Sequence, residues 1–291
     1  MQVSISWWNT GLTPPSQSRV TKKPSAQKSL KVKKTIQQMC IEKPLDIIIL
    51  CEVYNNCQEL IREISEEQEM SHEMLTAKVG GVYYDFALLY EKTKIKYISH
   101  EPIDQKNDFE LQIRLGVKLN LEIDGDLIHF FLSHWNSDMF SGAIKRDSCA
   151  RLLRSEINTA FHNNQNLIIL VGDYNCQPFD TEMIHLLSSS KDDEIVKKRR
   201  RILYNPFWKH LDKRQEDHTF SGTYINKSDA MDKWKTFDQM LFSSYFLSDT
   251  DWSIDTYFTE FQKNFNSIGF DFTDFFDHVP IYGRIIKNDA K

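Results

Sequence analysis

The five cysteines of this chain (Cys40, Cys51, Cys57, Cys149 and Cys176) are odd in number and include no C-x-x-C pair. That argues against a disulfide framework or a thiolate zinc site and favours a reducing cytoplasm. An excess of positive charge is missing too. The 36 Lys and Arg stand against 41 Asp and Glu, for a net charge of −5. With no overall pull toward polyanions, any nucleic-acid binding must come from local patches. No apolar stretch is long enough to span a bilayer. MQVSISWWNT enters a strand pattern without a basic n-region and a long apolar h-region, so no signal peptide is expected. Internal repeats and composition breaks are also absent, which predicts one domain over residues 1–291. A soluble, intracellular protein with no membrane attachment is the expectation.

What the chain does hold is core-forming sequence. Hydrophobic residues make up 41% and charged residues 26% of it, an ordinary globular balance. Strand-like runs recur: QVSISWW, DIIIL, YYDFALLY, LGVKLNLEI, LIHFFLSHW, LIILV, QMLFS and VPIYGRII. Several are β-branched or aromatic and several alternate. Helices are predicted over 28–41, 58–75 and 142–162. In the last, Ala150, Leu153, Ile157 and Phe161 repeat at helical spacing with Arg146 on the same stripe. Direct strand-to-strand links mixed with helical crossovers predict a layered α/β or α+β domain. Residues 11–27 and 188–201 are expected to be long loops, the first of them mobile, each either solvated surface or a phosphate contact.

The strand ends carry the chemistry. SISWWN puts Ile5, Trp7 and Asn9 on one face, and DIIILCE ends in Glu52. HFFLSH ends in His134, and LIILVGDYN ends in Asp173 and Asn175. Two runs show the reverse order: Asp238 precedes QMLFS, and Asp277-His278 precedes VPIYGRII. If all six ends meet, the last two strands run antiparallel to the first four. Buried polar groups are expensive unless paired, so collecting them at strand ends makes sense at one shared, partly wet site. Carboxylate and amide oxygens suit a hard cation, Mg²⁺ or Mn²⁺. Two histidines among acids suit proton transfer near neutral pH. Together they describe metal-assisted attack of water on phosphorus. Singly, each piece also reads as a turn or a solvated strand end; the ordered set points to a site.

The pieces SWWN, DIIILCEV, LSHWNS, VGDYNCQP, KTFDQMLFS and DHVPIYG, between residues 4 and 283, resemble the endonuclease/exonuclease/phosphatase superfamily in the family's order. The resemblance implies a four-layer sandwich, two packed mixed β-sheets flanked by helices. It implies Glu52 as principal Mg²⁺ ligand with Asn9 and Asp277 nearby, and Asp173 to orient or deprotonate the attacking water or to hold a second metal. It gives Asn175 to the scissile phosphate, His278 (oriented by Asp238) to base or electrostatic duty, and His134 to a phosphate oxygen or the leaving group. Three positions depart from the family's pattern: Phe276 where Ser is common, Cys51 where Gln is common, and Gly11 where many apurinic endonucleases carry an acid. Arg114 and Arg146 are candidate substrate contacts.

The implied activity is a metal-dependent nuclease, with an endonuclease on DNA as the leading reading. A phosphatase or phosphodiesterase on a small or lipid phosphate ester is the alternative, and an idle nucleic-acid-binding scaffold comes last. Lys22, Lys23, Lys28, Lys31, Lys33 and Lys34, with the second basic run at 197–201, would neutralise a nucleic-acid backbone if both lie beside the cleft. The Phe-dense segment 257–276 reads as a core-packing lid or as a stacking surface for bases.

Overall fold

The computed structural model of the protein describes residues 1–106, 112–137, 142–211, 219–247, 251–265 and 267–288, with the side chains of 142–144 excepted. The strands, in chain order, are β1 (Gln2–Asn9), β2 (Ile47–Cys51), β3 (Ser71–Val79), β4 (Val82–Tyr90), β5 (Ile95–Lys106), β6 (Gln112–Ile123), β7 (Asp126–His134) and β8 (Ile168–Asp173). They continue as β9 (Ser189–Ser190), β10 (Leu203–Tyr204), β11 (Tyr224–Ile225), β12 (Trp234–Lys235), β13 (Asp238–Ser243), β14 (Trp252–Ile254), β15 (Glu260–Phe261) and β16 (Ile281–Lys287). The helices are α1 (Ala26–Glu42), α2 (Gln58–Glu67), α3 (Gly142–His162) and α4 (Asp193–Lys198).

Two mixed sheets form the middle of the molecule. The first runs β14-β16-β1-β2-β4-β3, with β15 also on β16; the second runs β5-β6-β7-β8-β13-β10-β9. Alternation explains how they pack. On β8, Ile169 and Val171 join the core between the sheets, whereas Ile168 and Leu170 join a second cluster with Cys149, Leu153 and Ile157 of α3. Val32, Ile36 and Met39 of α1 and Ile61 and Ile64 of α2 extend the first cluster over the first sheet. The result is the expected four-layer α/β sandwich.

Strand direction brings the polar ends together. β1 is parallel to β2 and β7 to β8, while β16 is antiparallel to β1 and β13 to β8. Asp173 therefore lies opposite His134 on one side and Asp238 on the other. The carboxyl ends of four strands and the amino ends of two share one end of the sandwich.

Some local expectations need correction. The helix predicted over 58–75 stops at Glu67, and residues 71–75 belong to β3. Glu69 turns the chain at φ 56, and Gly80-Gly81 then joins β3 to β4 with Val79 opposite Val82, the two-residue hairpin that a Gly-Gly pair favours. The stretch 188–201 contains α4. Its acid-then-base order is a helix signature: Asp192 caps the backbone N–H of Ile195, with acids in the first turn and lysines in the last. The loop at 11–24 is tied down, as described below.

Candidate active site

Asp173 sits at the centre of the shared end, 2% exposed. Its strand can bring it there because Gly172 lets β7 pass close; a Cβ on Gly172 would lie 2.3 Å from the Ser133 carbonyl oxygen. Asn175, at φ 49, folds back on the carboxylate. Its backbone N–H and its Nδ2 both donate to Asp173 Oδ1, at 3.1 and 3.0 Å. With Oδ1 thus fixed, Oδ2 faces Asn9 Nδ2 at 3.3 Å, His278 Nε2 at 3.6 Å and His134 Nε2 at 3.9 Å. Asn175 Nδ2 also donates to the Trp135 carbonyl at 3.1 Å, so both of its protons are used within the protein.

Each imidazole has a buried carboxylate behind it. His278 Nδ1 donates to Asp238 Oδ2 at 2.7 Å, and Asp238 Oδ1 accepts from Trp7 Nε1 at 2.9 Å. His134 Nδ1 donates to Asp85 Oδ2 at 3.1 Å, and Asp85 is fully buried. Each pair crosses the gap between the sheets, one in each direction: Asp85 and His278 come from the first sheet or its approach, His134 and Asp238 from the second. Burial alone would lower the His278 pKa, but the charges of Asp238 and Asp173 raise it well above the ordinary imidazole value. Asp85 was missed by the strand-end reading. The signal available was an acid interrupting the apolar run YYDFALLY, which is costly in a core without a partner.

Glu52 follows β2 at φ 57, an uncommon backbone state for a residue other than glycine. Its Oε1 is 3.7 Å from His134 Nε2. Burial pushes its carboxyl pKa up against the pull of His134, and the charge of Asp85 pushes the same way. Asn9 Oδ1 accepts from the Gly11 N–H at 3.2 Å. Asp277 is exposed at the rim, and its charge is felt by Glu52, Lys28 and His278.

Among the described residues, the tightest groups of possible metal-binding side chains are Cys51–Asp85–His134, Asp173–Asp238–His278 and Cys176–Asp180–Glu182, each within 4.8 Å. Neither Glu52 nor Asp277 belongs to one. In the first two groups the imidazole Nδ1 is already committed to a carboxylate. Glu52 and Asp277 supply carboxylate oxygens outside those groups, Asn9 Oδ1 already accepting from the Gly11 N–H, and one or two carboxylates with remaining positions for water suit a hard cation such as Mg²⁺. Five acids (Glu52, Asp85, Asp173, Asp238 and Asp277) gather here around two imidazoles and Lys28, so added positive charge fits.

The two arginines are placed behind the strand ends. Arg114 donates to the His134 carbonyl at 2.7 Å and the Trp135 carbonyl at 3.3 Å. Arg146 is 7% exposed and donates to the Asn136 carbonyl at 3.3 Å. Both hold the backbone that carries His134. The Phe-dense segment turns inward: Phe272 and Phe276 pack on Trp8 with ring centroids 6.0 and 4.9 Å away. One of its residues, 266, lies outside the described residues. An aromatic neighbour of the site that the sequence reading did not single out is Tyr224, stacked on Phe237 at 5.2 Å and 4.7 Å from the His278 ring.

A two-sheet sandwich with acid-backed histidines at one end defines a recognisable class. Residues 7–266 match the model of the Endonuclease/Exonuclease/phosphatase family, and the chain belongs to that family of phosphate-ester hydrolases. Solved structures agree on the fold. The human Nocturnin catalytic domain with bound sulfate is similar at TM-score 0.62 and 15% identity, covering 99% of this chain and 95% of that one. D. rerio TDP2 complexed with a single-strand DNA product is similar at TM-score 0.62 and 14% identity, covering 98% and 99%. A family protein from Bacteroides thetaiotaomicron is similar at TM-score 0.60 and 15% identity, covering 99% and 98%. No curated protein matches the chain.

Proposed function

We propose that this chain is a divalent-metal-dependent phosphodiesterase, a nuclease cutting DNA internally, built as one catalytic domain and working in the cytoplasm. The observation that carries the reading is Asp173 Oδ2, held between two carboxylate-backed imidazoles. Supporting it are the family membership and a similar fold solved with a DNA product.

The division of labour follows from the contacts. Asp173 takes the proton from the attacking water at Oδ2, because Oδ1 is already saturated by Asn175. Asn175 and Asn9 keep that carboxylate aimed. His278, charged through Asp238 and Asp173, pairs with the phosphate. His134, held by Asp85, faces the same space from the other side and serves the departing oxygen. Glu52, with Asn9 and Asp277, would hold Mg²⁺ or Mn²⁺, which polarises the phosphoryl oxygens when bound. Water adds to phosphorus, the P–O ester bond breaks, and the departing oxygen receives a proton. Asn175 reaches the phosphate only by giving up a bond to Trp135 or Asp173.

The test is incubation of purified protein with supercoiled plasmid, RNA and small phosphate esters, with Mg²⁺ or with chelator. Metal-dependent nicking of plasmid is expected. Turnover of a small ester alone would move the reading to a phosphatase. DNA retention without turnover of anything would leave only a binding scaffold.

A further inference from the structure

A pocket of about 230 Å³ adjoins the site and takes no part in the chemistry above. Arg19, Lys22, Lys23 and Lys28 line it together with Gly11 and Ser25, and no carboxylate is among its lining residues. Lys28 joins the pocket to the site. Its ammonium donates to the Gly11 carbonyl, and the charges of Glu52 and Asp277 on one side and Arg19 on the other all act on it. Gly11 makes the room. Its φ is +59, and a Cβ there would come within 2.9 Å of Lys28 Nζ and 4.0 Å of Glu52 Oε2.

The wall of the pocket is a fixed structure, although its sequence (GLTPPSQSRVTKKPS) reads as a loop. Thr13 N–H donates to the Glu52 carbonyl at 2.7 Å, and Thr13 Oγ1 contacts Asn56 Oδ1 and Cys57 Sγ at 3.3 and 3.1 Å. Asn56 Nδ2 holds the Lys22 carbonyl at 2.5 Å. Leu12 and Val20 are buried. Lys23 has one acidic neighbour, Glu59 at 3.9 Å, with both side chains largely exposed. Four cations carried on a fixed backbone outnumber the acids beside them, Glu59 at Lys23 and Glu52 and Asp277 at Lys28, and form a receptor for an anion.

We propose that this pocket is a second phosphate subsite, so that the preferred substrate carries another phosphate beside the scissile one, on the Glu52 side. The inference rests on the proposed function and narrows it. A polynucleotide backbone and a polyphosphorylated small ester share this chemistry, and the assay separates them.

Two dinucleotides, with and without a terminal 5′-phosphate, are compared under Mg²⁺, alongside a sugar bisphosphate and its monophosphate. The wild type should show a KM at least about tenfold lower for the doubly phosphorylated member of whichever pair it cleaves, since each charge-assisted contact strengthens binding. In the Arg19→Ala/Lys22→Ala/Lys23→Ala variant that ratio should collapse toward one; these three side chains are exposed, so the fold is spared. The Lys198→Ala/Arg199→Ala variant should keep the ratio. Binding of inorganic pyrophosphate, followed calorimetrically in chelator, should be present in the wild type and lost in the triple variant. If no ester is cleaved, the proposed function fails and pyrophosphate binding alone decides the subsite. A wild type with neither preference nor pyrophosphate binding, or a triple variant retaining both, overturns the proposal.

Discussion

The two ends of the same strands have been given opposite tasks. β7 pairs with β8 from His129 to His134, about 17 Å apart for five residues of extended chain. His134 has Asp85 behind it and Glu52 and Asp173 before it. The His129 ring bonds an amide oxygen, Asn120 Oδ1 at 2.7 Å, and burial with the nearby Lys118 lowers its pKa to about 4. Basic residues divide the same way. Arg19, Lys22, Lys23 and Lys28 adjoin the site. The run at 199–201 leads into β10, whose Leu203 pairs with Ser243, the last residue of β13 and the one furthest from Asp238. Ser244 and Arg154 hold the carbonyls of Arg200 and Arg201 there. The second basic run is therefore not beside the cleft, and Lys197 is spent on Asp193 and Glu194. Carboxylate neighbours turn His134 into a reagent, whereas the same neighbours reduce Lys197 to a structural part and their absence from the pocket lining leaves its cations for a ligand.

That contrast can be broken in order of expected effect. Asp173→Ala should lower kcat by roughly 10⁴-fold with little change in thermal midpoint, because it removes the proton acceptor; full activity would remove Asp173 from the chemistry. His278→Ala should cost about 10²- to 10⁴-fold. Asp85→Asn should cost on the order of 10- to 100-fold in kcat, by loosening the tautomer and aim of His134. Its counterpart at the other end, Asn120→Ala, should leave kcat alone and cost about 1–3 kcal/mol of stability, since it strands a buried imidazole nitrogen.

The pH dependence sharpens the comparison further. His129 is held neutral in the fold, with a pKa of about 4 against about 6.5 when unfolded. Its contribution is complete above the unfolded value and is lost as pH falls from about 6.5 toward 4, at most about 3 kcal/mol. His278 is the reverse: its raised pKa gives a contribution present below the unfolded value and lost as pH rises through the folded one. Melting curves of the wild type and His129→Gln should diverge on the acid side and converge above neutrality. The smallest effect belongs to Lys197→Ala, within about 0.5 kcal/mol, because its two acids are solvated partners.

Legibility in the sequence followed how many constraints each element obeys. Strands buried on both faces, such as IIILC and LIILV, were plain, because every position is apolar and a polar end stands out. β5 was not, since it lies at the sheet edge with most side chains half or fully exposed and a Pro in its middle. α4 was hidden in a charged run because its stability lies in capping and charge order rather than in an apolar stripe. At the site, the residues that end strands are legible in the sequence and Asp85 is not. A residue in mid-strand has no punctuation to mark it, and only its partner 49 positions away explains it. Asn175 could be placed from spacing, but that its protons are already taken depends on Trp135, whose carbonyl spacing does not report.

The two acid–histidine pairs cross between the sheets in opposite directions. A consequence concerns mechanics. Four polar residues stitch the open rim of an otherwise apolar interface, and apolar faces resist sliding only weakly compared with a directional bond. A slip of about 1 Å between the layers would carry a good hydrogen bond beyond its useful range while leaving every strand intact. Turnover should thus vanish on warming before far-ultraviolet ellipticity changes. The enzyme would act as a gauge of its own alignment, silent whenever its halves are out of step.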